Sequence, residues 1–451
     1  MKKMKPVTVV VVDRPAKRSG GRSLCVLGEH IKFSTAAVES FCFANSDARV
    51  FDAFLLVAAV EFCDRLARRP ALTWSRDIEL EVPVHDVSCW NHAVRDSFLH
   101  NLEFLTGDRW HITFVQRQRS INLRNQQTLP FGNAVELVMP FSDGLDSEAY
   151  AQVLRQQQAG RYMLVRTGHG HPLLRASSGI SPIYVPFTVF PREFKFRESS
   201  VRSRGLKFGL TAALACVLAN ATNIVVPESG LGVFGPVLTV VGQSYPDYRS
   251  HPRFLSGLMD FVQLLLNKRP GLVFPRLWLT KSESIAASRA IAPLLEVERT
   301  RSCWQRRGMF YRGQLRQCGI CAACLLRRMS LFNNRIEEAP DTYVWSRLRS
   351  SSIRLSGNKS LGVDGIPSSQ IENAIGGVLY LASLSQLGKL KSDPLAIAAE
   401  ATTIAPLVNE TASIAQRKLL RMLKASSSEW REFLGSLGSA SFVSRWASEV
   451  S

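Results

Sequence analysis

Apolar residues are arranged in three successive textures along the chain. Up to about residue 130, short β-rich stretches (VTVVVV, RDIELEVPV, RWHITFVQ) flank FDAFLLVAAVEFCDRLARR, whose apolar positions recur at helical spacing. This mixture predicts an α+β accessory domain over residues 1–133. It closes in a polar segment, QRQRSINLRNQQTLPFGN, which reads as a linker or as an edge hairpin followed by a turn. From Val135 the pattern changes. VELVMPF, YMLVRT, NIVVPES and GLVFPRLWL are short, nearly continuous apolar runs, and helical patterns such as SEAYAQVLRQQQ and KFGLTAALACVLAN lie between them. Strands alternating with helices predict an α/β domain with a doubly wound parallel sheet covered on both faces, over residues 134–338. Residues 339–451 are serine-rich and helical in parts (SQIENAIGGVLYLASLSQLGKL, IAQRKLLRMLKASSSEWREFLGSL), which predicts a helical extension that either packs on the core or serves as a docking surface. No internal repeat is present.

Composition narrows the class. A chain of 451 residues with 46% hydrophobic content buries two or three cores without staples. It has no run of eighteen apolar residues, and MKKMKPVTVVVVDRPAKR has too short an apolar run for a signal peptide, so a soluble, cytoplasmic, unprocessed protein is expected. The formal charge of +19 favours an anionic partner. Its basic residues are spread through RSRGLKFG, RSCWQRRGMFYRGQLRQ and LLRR, so a phosphorylated or carboxylated ligand and a nucleic acid both remain open.

LVMPFSDGLDSEAYAQVL is a buried strand, a small-residue turn crowded by Ser142, Gly144 and Ser147, and then a helix. Ligands collect at the carboxyl ends of strands in open α/β sheets, and the N–H groups of a helix N-terminus suit a phosphate. The plain alternative is a strand-to-helix turn with Asp146 or Ser147 as N-cap.

FSDGLDS resembles the SGGxDS pyrophosphate loop of the N-type ATP pyrophosphatases. Four further stretches resemble one family of that group, the 7-cyano-7-deazaguanine synthases, QueC. RGLKFGLTAALA is similar to its arginine-led helix, QSYPDYR to its YPDC loop, PRLWLTKSES to its lysine-bearing strand, and SCWQRRG with CGICAACLLR to its zinc ribbon. These stretches keep the family's order. The size of the flanking regions resembles the enlarged QueC-like proteins of antiphage operons, QatC and the type IV CBASS homologues.

The resemblance implies a fold of the adenine-nucleotide α-hydrolase-like type with a zinc ribbon, and ATP with Mg2+ at the loop. Ser142, Gly144, Asp146 and Ser147 would cradle the phosphates, flanked by Phe141, Asp143 and Leu145. Lys281 would meet charge developing on the leaving phosphate, and Arg204 would face the nucleotide or the acid. Tyr245, Pro246 and Asp247 would close over a deazaguanine, with Asp247 accepting hydrogen bonds from its guanine-like edge. One position departs from the family: Asp143 stands where the pattern has glycine, adding an anion at a place suited to positive φ.

Cys318, Cys321 and Cys324 at intervals of three, with Cys303 separated from Cys318 by a fourteen-residue loop, suit tetrahedral Zn2+ in a closed structural site. Four thiolates also suit an iron–sulfur cluster, whereas a third cysteine at the same interval argues against a redox pair. The knot would present Arg306, Arg307, Arg312 and Arg316 toward the active cleft. Cys25, Cys42, Cys63, Cys89 and Cys216 lack such spacing and are expected in cores.

The implied activity is a ligase that adenylates 7-carboxy-7-deazaguanine and passes it to an amine, either ammonia or the N-terminal amine of a partner protein from the same operon. A homodimer is an expectation from the resemblance; a membrane is not expected. The alternative, favoured by the charge and by Asp143, is a catalytically degenerate nucleotide- or nucleic-acid-binding subunit of a defence complex.

Overall fold

The computed structural model describes residues 6–15, 21–42, 44–69, 75–118, 135–158, 160–168, 182–198, 202–239, 245–293, 295–305, 309–389 and 395–449. Most of the expected linker and the basic residues Arg306 and Arg307 lie outside the described residues. The chain forms two compact units that interleave in sequence. One holds Met1–Phe141, Gln158–Val226 and Asp247–Val273, and the other holds Ser142–Gln157, Pro227–Pro246 and Phe274–Ser451.

The first unit contains two parallel sheets. In one, strand Val7–Val12 lies between Ser23–Val26 and Asp77–Val84, and Arg109–Gln116 completes the edge. The sequence pattern suggested α+β here, yet every pairing in this sheet is parallel. The cause is the connection: helix His92–Thr106 carries the chain from Asp77–Val84 back to Arg109–Gln116, and a helical crossover places the second strand parallel to the first. The other sheet runs Gly271–Val273, Asn223–Val225, Leu137–Pro140, Tyr162–Thr167, Ile183–Val185, again all parallel. Its order reverses at Leu137–Pro140, the strand that leads into the small-residue turn. The apolar run GLVFPRLWL yields only the three residues Gly271–Val273, because Pro275 lacks the N–H that a longer ladder needs.

Helix Ala48–Leu66 packs on the first sheet, helix Arg204–Leu218 packs on the second, and the two helices pack on each other. Ala48–Leu66 is buried at nearly every position from Val50 to Asp64, as an element covered on both sides must be. Its buried Asp64 joins Asp108 around Arg76, whose Nη2 lies 2.6 Å from Asp64 and 2.5 Å from Asp108. Cys25, Cys63 and Cys216 are core residues as expected; Cys42 and Cys89 are only half-buried, Cys89 because it sits on a short surface 3-10 turn.

The second unit is mainly helical. Helix Leu145–Gln157 packs on Lys281–Ile291, which packs on Ala322–Asn333, which meets Ser368–Leu387 and Ala412–Leu437. One continuous core joins the four clustered cysteines to Trp345, Val378, Leu381, Leu419, Met422 and Phe442. The C-terminal region is therefore part of this unit's core. Parallel sheets and a four-cysteine cluster fit a PP-loop-like α/β fold with a zinc ribbon. Among the described residues no helix is long and apolar enough to cross a membrane.

Candidate functional site

In the second unit the small-residue turn is organised by its own side chains. Ser142 Oγ accepts from the Gly144 N–H at 3.1 Å and lies 3.0 Å from Ser147 Oγ. A Cβ on Gly144 would stand 3.0 Å from that Ser142 oxygen, so the position favours glycine for space. Asp143 is not among the residues with positive φ. An aspartate at this position therefore carries no left-handed backbone strain. The Asp143 carbonyl accepts from the Arg301 N–H at 2.6 Å, which ties the turn to the segment leading into Cys303.

Leu145 and Asp146 open the helix that follows, and its first N–H groups have no partners within it. Asp146 and Lys281 are both buried, and the Lys281 ammonium donates to Asp146 Oδ2. Packing of Leu145–Gln157 against Lys281–Ile291 brings these two residues together across 135 positions of sequence. Asp146 Oδ1 is buried without a hydrogen-bond partner. Burial raises the Glu148 pKa, with the neighbouring charges of Glu296 and Asp143 adding to the effect against Gln152 and Arg299. The loop and the start of its helix thus carry the acids Asp143, Asp146 and Glu148, with Lys281 held against Asp146. A polyphosphate fits beside these acids only with a divalent cation between them, and the orphaned Asp146 oxygen is a fitting Mg2+ ligand.

Tyr245 is half-buried in this same unit. Arg204 and Asp247 belong to the first unit and form a second group. Arg204 begins its helix behind Ser203, whose N–H and hydroxyl both donate to Asp64 Oδ2 at 2.8 Å. Arg204 lies over the Phe208 ring, 5.4 Å from its centroid. Asp247 accepts from Arg249 Nε at 2.6 Å and from its Nη2. Burial pushes the Asp247 carboxyl up, but the charge and hydrogen bonds of Arg249 and the charge of Arg204 outweigh it and hold the pKa below the usual value. Its oxygens are engaged rather than open to a guanine edge, so a ligand there must share them with Arg249. Beside this pair is a cavity of about 90 Å³ lined by Pro140, Gly205, Phe208, Val226, Arg249 and Met259. It is smaller than the ~150 Å³ that holds a benzene ring, so a bicyclic purine requires side chains to move.

The candidate metal centre is Cys303, Cys318, Cys321 and Cys324, all buried, with sulfurs within 4.8 Å of one another. Backbone N–H groups point at two of the sulfurs: Cys318 N at 3.2 Å and Gln305 N at 3.3 Å from Cys303 Sγ, and Cys321 N at 3.3 Å from Cys318 Sγ. Such donors stabilise thiolate charge. Hydrogen bonds from the other three cysteines pull the Cys303 pKa down against burial. This donor set fits tetrahedral Zn2+. Gly319, inside the CGIC turn, has φ +88°, and a Cβ there would meet the Trp345 carbonyl at 2.4 Å. Arg316 pairs with Asp341 at 2.8 Å, while Arg312 is exposed at the turn of hairpin Phe310–Tyr311 and Gln314–Leu315.

Sequence reasoning missed Arg327 and Glu429. Arg327 is fully buried and donates to Val297 O at 2.8 Å and to Thr300 Oγ1 at 2.5 Å, bracing the segment that reaches Asp143 and Cys303. The doublet Arg327–Arg328, directly after CAACLL, was the available signal. Glu429 accepts from Thr280 Oγ1 at 2.5 Å and Ser282 Oγ at 2.8 Å, and nothing local marks it. Burial raises its pKa to about 7, Glu283 and Glu432 adding to the shift and the two hydroxyls opposing it.

No curated protein and no solved structure matches the chain. Residues 213–335, which carry Lys281, Asp247 and all four clustered cysteines, match the family model of queuosine biosynthesis protein QueC, and this supports a QueC-like character for that segment.

Proposed function

We propose that this protein is an ATP-dependent ligase that adenylates a 7-deazaguanine carboxylic acid and transfers the acyl group to an amine. The carrying observation is the Lys281 ammonium, buried against Asp146 at the head of the helix that follows the serine-lined turn. The Ser142 and Ser147 hydroxyls and the first N–H groups of that helix hold the β- and γ-phosphates. Lys281 then balances charge that develops on departing pyrophosphate. When bound, Mg2+ at Asp146 neutralises the polyphosphate beside the loop acids. The sheet order, which reverses at Leu137–Pro140, supports a doubly wound reading with the ligand beyond that strand.

The acceptor is read as ammonia or the N-terminal amine of a partner protein, in antiphage defence. The large regions outside the matched segment support a macromolecular acceptor, since ammonia needs no docking surface. Zinc is read as structural, closing the loop from Cys303 to Cys318.

One observation favours a second reading, a nucleotide-binding subunit without catalysis: the acids Asp143 and Glu148 add negative charge at the serine-lined turn and the head of its helix. Pyrophosphate release with ATP, Mg2+ and 7-carboxy-7-deazaguanine, with and without amine, separates the two. Acid-dependent release that is lost in Ser147→Ala establishes adenylation. No release from the wild type, with release gained in Asp143→Gly, supports the second reading.

A further inference from the structure

We infer that the C-terminal helix Ala412–Leu437 is the positioning element for Lys281, with Glu429 and Arg421 as its positioning residues. The inference rests on the proposed role of Lys281 and on the contacts that Glu410, Lys418, Arg421 and Glu429, outside the segment that matches the family model, make to residues within it. Lys281 is the first residue of its helix, behind the N-cap Thr280. A cation there meets the positive end of the helix dipole, an unfavourable placement that must be held and compensated. Within its own helix the hold is a capping box between Thr280 and Glu283.

The C-terminal helix adds a second layer at every neighbouring position. Glu429 accepts from the hydroxyls of Thr280 and Ser282, the residues on either side of Lys281. Arg421, two turns earlier on the same helix, pairs with Glu283 and donates to the Trp278 carbonyl at 2.5 Å. The Trp278 indole N–H donates to Glu410 at 3.1 Å, and Lys418 lies both 2.6 Å from that carboxylate and over the indole ring. Beneath these contacts, a Cβ on Gly230 would lie 1.8 Å from the Leu277 carbonyl and 2.6 Å from Met422 Sδ, so backbone and helix meet without spare room. Residues 277–283 are therefore gripped by one helix through hydrogen bonds, ion pairs and close packing. Glu429 also brings an acidic group to the helix end where Lys281 sits. A simple surface extension needs none of this.

The test uses the full-length protein with Glu429→Leu, Glu429→Gln and Arg421→Met. Competent sites are counted from the burst of pyrophosphate release, and amide hydrogen exchange over residues 278–284 is measured without substrates. Glu429→Leu is expected to lower kcat per competent site by about tenfold or more, and Glu429→Gln, which keeps an acceptor for the two hydroxyls, to restore it to within about threefold of the wild type. A merely structural role would reduce the number of competent sites and leave kcat per site unchanged. Arg421 is half-exposed, so Arg421→Met folds and is expected to lose exchange protection in this segment at an unchanged Tm. Wild-type kcat per site in Glu429→Leu, or wild-type protection in both Glu429→Leu and Arg421→Met, overturns the inference. If the wild-type protein releases no pyrophosphate, the ligase reading has failed, and the exchange measurement alone decides whether the helix holds the lysine segment.

Discussion

Lys281 and Asp146 show how far one residue's identity depends on another's. Both are buried, and removing the ammonium alone leaves a carboxylate without a counter-charge, at a cost of about 3–5 kcal/mol. Lys281→Met is therefore expected to destabilise by that amount and to abolish turnover. The double variant Lys281→Met with Asp146→Asn is expected to regain most of the stability in urea unfolding and none of the turnover. Glu429 gives a pH signature. Its pKa rises from 4.5 to about 7 on folding, so the folded state binds the extra proton. Between about pH 4.5 and 7 the folded form holds a proton that the unfolded form has released, and stability falls as pH rises through this window, by up to about 3 kcal/mol. Thermal unfolding of Glu429→Gln across the same window is expected to lack this fall.

Two adjacent glycines on helix Ser368–Leu387 separate packing from propensity. A Cβ on Gly377 would lie 2.6 Å from the Ala322 nitrogen and 3.0 Å from the Cys321 carbonyl carbon, whereas nothing lies within 4 Å of one on Gly376. Gly377→Ala is expected to destabilise by about 1–3 kcal/mol and to weaken zinc retention by displacing the Cys321 turn. Gly376→Ala is expected to stabilise by up to about 1 kcal/mol. Tm and metal content after dialysis against a chelator distinguish these outcomes. At this scale much was legible. Strands Val7–Val12, Asp77–Val84 and Tyr162–Thr167 follow their apolar runs, and the interval of three between Cys318, Cys321 and Cys324 is local chemistry. Helix Pro252–Leu266 was legible in principle from Phe254, Leu258, Phe261 and Leu265 behind an N-cap and proline at His251 and Pro252. What pattern could not show was long-range contact. The hydroxyls held by Glu429 lie 149 and 147 residues away, and Asp64, Arg76 and Asp108 meet only because two sequence-distant segments fold together. The parallel direction of the strands around Val7–Val12 was hidden for the same reason: strand direction is decided by the connection, which apolar periodicity does not encode.

For the whole molecule, the shared core of the second unit makes residues 340–451 indispensable. Burying a large apolar side chain contributes about 1.5–3 kcal/mol, and this region supplies Trp345, Val378, Leu419, Met422 and Phe442 to the core of the cysteine cluster. Their combined loss is as large as the margin by which a domain is stable. A chain ending at residue 339 is expected to lose bound zinc and its second unfolding transition, as metal analysis and calorimetry would show.

The interleaving of the two units also sets a timetable for synthesis. Asp146 leaves the ribosome 135 residues before Lys281, a delay of about 7–27 s at ordinary translation rates. Throughout that interval the apolar side of helix Leu145–Gln157 lacks the helix on which it packs. The nascent chain is therefore exposed to misassembly between residues 145 and 281, and that is where a chaperone would have most to do.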